Sequence, residues 1–196
     1  MEKVNNYKDY LIKKAIKNNA RIFLPEIDDT RIRSAISHLI DLGFNVINND
    51  SVIVKKKKNI DLISNKSFTA NWTDDMKKKY LNNPLNIGLA ALDNNDVDCV
   101  VAGATCPTSD LLRSAIRLIG IKNDTKWVSS IFFMIKSESN LAYTYSDCGV
   151  IPEPDIDQLV AIAYSAAKFH EILSFEEPKV AFLSFSTMGS AEHYKV

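Results

Sequence analysis

Apolar positions along this chain recur with two different periods, and each change of period marks an element. The opening "MEKVNNYKDYLIKKAIKNNA" carries Tyr7, Leu11 and Ala15, with Ile12 beside them, at helical spacing. It is expected to form an amphipathic helix with those residues inward. "ARIFLP", residues 20 to 25, is a compact apolar run closed by proline, the pattern of a short buried strand. Asp28 and Asp29 then offer an N-cap, Ile32, Ala35, Ile36 and Leu39 follow at helical spacing, and Gly43 stands where a C′ residue ends a helix. "FNVINN" supplies a further strand. Strand, capped helix and strand in succession make half of a parallel α/β sheet.

Residues 55 to 83 break the rhythm, and their "KKKKN" reads as a solvated surface or the start of a polar connection. Thr73 caps a short helix, "DDMKKKYL", and Pro84 starts another with Ile87, Ala90, Ala91 and Leu92 inward. "VDCVVAGA", residues 97 to 104, is the clearest strand signal and runs through Gly103 into "TCPTSD". Pro107 and Thr108 are read there as the residue before the cap and the cap of a helix that stops at Gly120. "WVSSIFFMI" and "LAYTYSD", joined by the polar "KSESN", read as a β-hairpin inserted into the alternating pattern. A long helix follows, with Asp155 and Gln158 spaced as a capping box and Ile156, Leu159, Val160, Ala163 and Ala167 as its apolar face. "KVAFLSFS" is the last strand expected, and it leads into a turn, Ser186 to Ser190, of the kind that opens a helix. The fold class is α/β, with a domain boundary between 145 and 155 and no internal repeat.

Composition narrows the function classes. The chain has 196 residues, 46% hydrophobic and 24% charged, enough for one domain and part of another. Zero formal net charge supplies no long-range field for nucleic acid or an anionic membrane. "IFFMI", the longest apolar run, is too short to span a bilayer, and the first residues lack the pattern of a signal peptide. Cys99, Cys106 and Cys148 are odd in number and lack metal-ligand spacing, which argues against a disulfide scaffold or a metal site and fits a reducing cytoplasm.

Two strand-to-helix junctions carry candidate chemistry. At "AGATCPTSDLLR", Gly103 lets the chain turn, Thr108 and Ser109 expose hydroxyls at a helix start, and Arg113 lies one turn on, sharing a face with Asp110 and Arg117. A phosphate would find amide, hydroxyl and guanidinium donors there. Arginine is scarce, at positions 21, 31, 33, 113 and 117 of a chain with 24 basic residues, so one at a helix start suggests that its fork is wanted. An ordinary capped helix with an Asp110–Arg113 surface pair explains the same residues. Ser186, Thr187, Gly189 and Ser190 form the second candidate, for which an ordinary turn is the alternative. Asp147 and Cys148 end a strand; Cys148 could be a nucleophile, but no histidine lies near it in sequence, and a packed thiol explains it as well.

"LPEIDDTRIRSA", "AGATCPTSDLLRSAI", "YSDCGVIPEPDIDQLVAIA" and "EPKVAFLSFSTMGS", in this order, resemble the phosphate acetyltransferase (phosphotransacetylase) members of the phosphate acetyl/butyryl transferase family. The resemblance implies transfer of an acetyl group between acetyl phosphate and coenzyme A, with no metal and no covalent enzyme intermediate, CoA being a substrate. It implies a two-domain, three-layer fold similar to isocitrate and isopropylmalate dehydrogenases, with a cleft between the domains and a homodimer as the usual assembly. Thr108, Ser109, Asp110 and Arg113 match the turn on the first domain's side of that cleft; Ser186, Thr187, Gly189 and Ser190 match the loop from the second; Asp147 and Cys148 match a pair near the junction. On this reading residues 1–147 form the first domain and 148–196 the start of an incomplete second one.

The sequence departs from the family at Cys106-Pro107, and in having only lysines as basic residues between 55 and 79. The family's C-terminal part, with a Ser-Arg motif and an aspartate proposed as the thiol base, has no counterpart, so the chain reads as an N-terminal portion expected to be poorly active by itself. Alternatives are an acetyl-CoA-binding regulatory module without turnover, a phosphate butyryltransferase, and an oxidoreductase of the same fold. The last is disfavoured because no G-x-G-x-x-G follows any expected strand.

Overall fold

The structure is a computed structural model that describes residues 6–54, 56–122, 125–136, 138–184, 186–192 and 194. The chain divides into two compact units, Asp9–Lys126 and Met1–Lys8 with Trp127–Val196. The segment read as an inserted hairpin groups with the C-terminal residues.

In the Asp9–Lys126 unit, α1 (Tyr7–Asn18, its first two residues counted with the other unit) leads into β1 (Ile22–Phe23). β1 is bonded on both sides. Ile22 pairs in parallel with Val46, its amide bonding Asn45 O and its carbonyl receiving Ile47 N, each at 2.8 Å. On the other side β1 runs parallel to β2 (Cys99–Val100), Ile22 opposite Cys99 and Phe23 opposite Val100. The strands are shorter than the apolar runs suggest, and "FNVINN" yields the Val46 bridge alone before α3 begins.

The local helix signals at Asp29, Gly43, Thr73 and Pro84 are met. Asp29 caps α2 (Thr30–Asp41) by accepting from Arg31 N, and Gly43 at φ +91° ends it as a C′ residue. Thr73 caps α5 (Asp74–Tyr80), and Pro84 opens α6 (Pro84–Asp93) behind the Asn83 cap. The lysine run does not make a polar connection. α3 (Asn49–Val54) and α4 (Lys56–Ser64) are helices; in α4 Asn59 and Ile63 are fully buried while Lys57 and Lys58 are exposed, as a solvated surface requires. In α1, Tyr7 is buried but Ala15 is exposed, against expectation.

α6 is the centre of this core, with Leu85 to Ala91 all buried. One cluster joins Ile63, Leu81, Leu85, Leu89, Ala90 and Leu118; a second joins Phe23, Val52, Ile87, Ala91 and Val97. Gly88 permits the close approach of β1, since a Cβ there would lie 2.6 Å from the Phe23 ring.

In the other unit, β3 (Phe132–Lys136) and β4 (Leu141–Tyr145) form the expected antiparallel hairpin, with Met134 opposite Tyr143. Its inward face meets Tyr7, whose ring stands edge-on to Phe133, and α8 (Ile156–Ser174), where Phe169 packs on Phe133 and Thr144 Oγ1 bonds His170 Nδ1 at 2.9 Å. The capping box is complete: Asp155 accepts from Gln158 N at 2.8 Å, and Gln158 Oε1 accepts from Asp155 N at 2.9 Å. The expected apolar face of α8 is corrected, because Ile156, Leu159 and Val160 are exposed and Ile162 is the buried apolar residue. The stretch 179–184 forms no strand; no ladder partner for it is found among the described residues, and Phe185 lies outside them.

Candidate functional site

Each unit places one cluster of sequence-selected residues. In the Asp9–Lys126 unit, the order Val46–β1–β2 reverses direction at β1. In parallel α/β sheets such a reversal leaves room for ligands at the carboxyl ends of the strands. The segment after β2 crosses those ends and enters α7 (Thr108–Leu118). Pro107, not Thr108, is the N-cap; it has no side chain to cap with, and its carbonyl accepts Asp110 N at 3.0 Å and Leu111 N at 3.2 Å. Thr108 and Ser109 are consequently first-turn residues, both exposed. The Arg113 guanidinium donates to Asp110 at 3.0 Å, both side chains being more than half exposed. This is the surface pair set against the anion-site reading above, and water screening leaves it weak enough for an incoming phosphate to compete.

What arranges this junction is a residue the sequence reading did not single out. Glu26, just past the end of β1, points its carboxylate into the loop after β2. Its Oε2 accepts from Gly103 N and Ala104 N, and its Oε1 from Thr105 N and Thr105 Oγ1, all at 2.8 Å, and from Cys106 N at 2.9 Å. Gly103, at φ +112°, makes the turn that aims these amides at one point. Burial raises the Glu26 pKa, but the Thr105 and Ala104 amides, the Thr105 hydroxyl and the Cys106 amide outweigh it and hold the carboxyl at about 2. Burial, and next the Glu26 charge, push the Cys106 thiol up, which leaves it a poor nucleophile. The local signal was present: an acid directly after a proline-closed strand.

In the other unit Asp147 is likewise committed. It accepts from Ser130 N at 2.9 Å, from the Ser130 hydroxyl, from Gly149 N at 3.2 Å, Val150 N at 3.3 Å and Ile151 N at 2.6 Å. Burial would raise this carboxyl as well; the Ser130 hydroxyl and amide, with the Gly149 and Ile151 amides, bring it down to about 2. A carboxylate so engaged is a scaffold and a poor proton acceptor. Cys148 is exposed, its amide bonding Ser130 Oγ at 2.8 Å and its thiol facing the Tyr145 carbonyl at 3.2 Å. Neither contact supplies a base.

The Ser186–Ser190 turn is closed on itself. Thr187 N donates to Ser190 Oγ and Ala191 N to Ser186 Oγ, each at 3.1 Å, with the two hydroxyl oxygens 3.4 Å apart. Met188 and Gly189 both have positive φ, which bends the chain back, and no helix follows among the described residues. Among the described residues the turn is a hydroxyl-stapled loop. An open apolar groove of about 280 Å³ between α2 and the Val46 segment, lined by Ile27, Ile36, Ile40 and Ile47 among others, brings no ionisable group. Among the described residues no group of three or more His, Cys, Asp or Glu could hold a metal ion, and no helix is long and apolar enough to cross a membrane.

Comparison with known proteins gives this geometry a lineage. The family described as phosphate acetyl/butaryl transferase matches residues 41–196. The phosphate acetyltransferase of Acetivibrio thermocellus is 30% identical over 95% of this chain and 64% of its own length. That of Staphylococcus aureus strain MRSA252 is 34% identical over 89% of this chain and 60% of its own. Among solved structures, a phosphotransacetylase from Streptococcus pyogenes superposes with a TM-score of 0.76 at 23% identity, covering 96% of this chain and 64% of that one. The EutD phosphotransacetylase of Staphylococcus aureus gives 0.72 at 29% identity, covering 97% and 64%. The chain belongs to the phosphate acetyl/butyryl transferase family. It spans 60 to 64% of the length of these curated relatives.

Proposed function

We propose that the protein handles CoA and acetyl phosphate in the reaction acetyl-CoA + phosphate = CoA + acetyl phosphate. The CoA thiol gives up its proton, the thiolate attacks the carbonyl carbon of acetyl phosphate, and a C–S bond forms as the C–O bond to phosphate breaks. Phosphate departs with the electron pair of that bond, and donors fixed beforehand stabilise the charge that develops. The observation that carries this reading is the β2–α7 junction: a loop fixed at the carboxyl ends of parallel strands, leading into the exposed Thr108, Ser109 and Arg113, in a chain whose family match runs over 41–196.

Thr108, Ser109 and Arg113 are proposed as phosphoryl donors, with Asp110 tethering the guanidinium when no anion is present. Ser186, Thr187, Gly189 and Ser190 are proposed as a second substrate-contacting loop, and Cys148 as a bystander. Asp147 is not the thiol base, since five groups already donate to it. The resemblance puts that base in the part of the relatives this chain does not span, so residues 1–196 alone are proposed to bind CoA and to turn over acetyl phosphate slowly. The dehydrogenase-like two-domain fold, a cytoplasmic setting and a homodimer belong to the same reading. Phe132, Met134 and Tyr143 on the outer hairpin face are apolar surface that a second copy would cover.

Isothermal titration of the 196-residue protein with CoA and with inorganic phosphate tests this directly. Micromolar to millimolar binding of both, weakened in Arg113→Ala, is the result expected. Absence of binding to either ligand rejects the reading. A second reading, acetyl-CoA binding without turnover, is supported by Asp147 being already engaged by five donors. It would be established by tight acetyl-CoA binding with no thioester formed from acetyl phosphate and CoA, in this chain and in one extended to the relatives' full length.

A further inference from the structure

We infer that Glu26 is the positioning residue of the β2–α7 junction, the group that holds the anion-receiving turn in shape without itself touching substrate. The inference rests on the transferase reading above. Four consecutive amides, Gly103 to Cys106, converge on one carboxylate at 2.8 to 2.9 Å, joined by the Thr105 hydroxyl. Such a concave row of N–H groups is itself an anion receptor, and here the chain fills it with its own side chain.

The opposite polarity of the loop is held from the same segment. Arg31 Nη2 donates to Ala104 O at 3.1 Å while its guanidinium is gripped by Asp29 at 2.6 Å. Asp29 N in turn donates to Glu26 O at 3.1 Å, and the buried Leu24 and Pro25 anchor the segment behind it. One stretch, 24 to 31, thus clamps both the amides and a carbonyl of the stretch that delivers Pro107 and the first turn of α7.

Two consequences follow for recognition. The receptor formed by 103–106 is already occupied, so a substrate phosphoryl group is met one turn further on, by Thr108, Ser109 and Arg113. Removing the clamp turns four amides loose and moves those groups together, even though Glu26 makes no contact with the ligand.

The test compares the wild-type chain with Glu26→Gln and Glu26→Asp, using inorganic phosphate and CoA as the titrated probes and amide hydrogen exchange at 103–106 as the structural reporter. Glutamine keeps the shape but turns an NH2 donor toward amide donors; aspartate keeps the charge with a shorter reach. For Glu26→Gln, protection of the four amides is expected to fall about tenfold or more, with the rest of the Asp9–Lys126 unit unchanged. Phosphate affinity is expected to fall about tenfold, with partial recovery in Glu26→Asp. Unchanged phosphate affinity despite lost protection overturns the positioning role, and so does unchanged protection. Tighter phosphate binding in Glu26→Gln overturns it in another way, by showing that the carboxylate occupies the ligand's own place. If Glu26→Gln does not fold, the same comparisons are read from Glu26→Asp. A wild-type chain that binds neither probe rejects the transferase reading and the role built on it, while the exchange data still report whether Glu26 clamps the loop.

Discussion

Replacing Asp147 by asparagine separates a scaffold from a catalytic acid. The carboxylate receives five donors: the Ser130 amide and hydroxyl, and the amides of Gly149, Val150 and Ile151. A carboxamide keeps one acceptor oxygen and turns an NH2 toward N–H groups that are donors themselves, leaving at least one amide stranded. A hydrogen bond to a charged acceptor contributes about 1.5–3 kcal/mol, and a stranded buried donor costs roughly 1–3 kcal/mol. Because the segment is only half-buried and water reaches part of it, the expected loss is about 2 kcal/mol. Linkage gives the same scale. A carboxyl held at about 2 instead of 3.8 corresponds to roughly 2.4 kcal/mol before solvent screening reduces it.

The sign follows from the direction of that displacement. The folded-state value is depressed, so the stabilisation is fully present above the unfolded value and is lost as pH falls from about 4 through about 2. The chain's two tryptophans, Trp72 and Trp127, fall in different units. Urea unfolding in a Trp72→Phe background therefore follows Trp127, in the same unit as Asp147. Asp147→Asn is expected to lower the midpoint by about 1 M at neutral pH, with the gap to the parent narrowing as pH approaches the folded value. An unchanged midpoint and a gap independent of pH would refute the scaffold argument and leave Asp147 open to a role in proton transfer.

Gly88→Ala is expected to cost about 1–2 kcal/mol, measured by thermal or urea unfolding. Its Cβ would meet the Phe23 ring at 2.6 Å, and that ring is almost completely buried, so overpacking outweighs the gain in helix propensity. Alkylation followed by mass spectrometry should label the exposed Cys148 before Cys106, burial and the Glu26 charge raising the latter's thiol pKa; labelling of Cys106 ahead of Cys148 would contradict the Glu26 contact. Arg113→Ala should weaken phosphate binding about tenfold or more, and Arg113→Lys should recover part of it; equal affinity in all three proteins would remove Arg113 from the site. Asp155→Ala breaks the capping box and should lower the stability of the α8 unit by about 1 kcal/mol, read by helical circular dichroism on heating.

Signals that act within one turn were legible in the sequence. The caps at Asp29, Thr73 and Asp155, the stop at Gly43 and the hairpin over "KSESN" each involve groups close together in the chain. The lysine run was legible as solvated surface, Lys57 and Lys58 being exposed, but its charges concealed the helix that buries Asn59 and Ile63, whose burial depends on α6 lying beside them. The apolar face of α8 was misread for a similar reason. Its apolar residues cover more than one side, so spacing could not choose between the stripe of Ile156 and Val160 and the side that meets the hairpin.

At the candidate site the sequence supplied the turn, the hydroxyls and Arg113, together with the order of motifs that marks the family. It could not show that Gly103 to Cys106 are closed over Glu26, because those partners stand 77 to 80 residues apart. Nor could it show that Asp147 is consumed by Ser130, 17 residues before it. Caps and turns depend on neighbours that the chain itself dictates, so they follow from the residues alone. Which acids organise a loop and which remain for chemistry depends on where distant amides come to point, and only the folded strands bring them there.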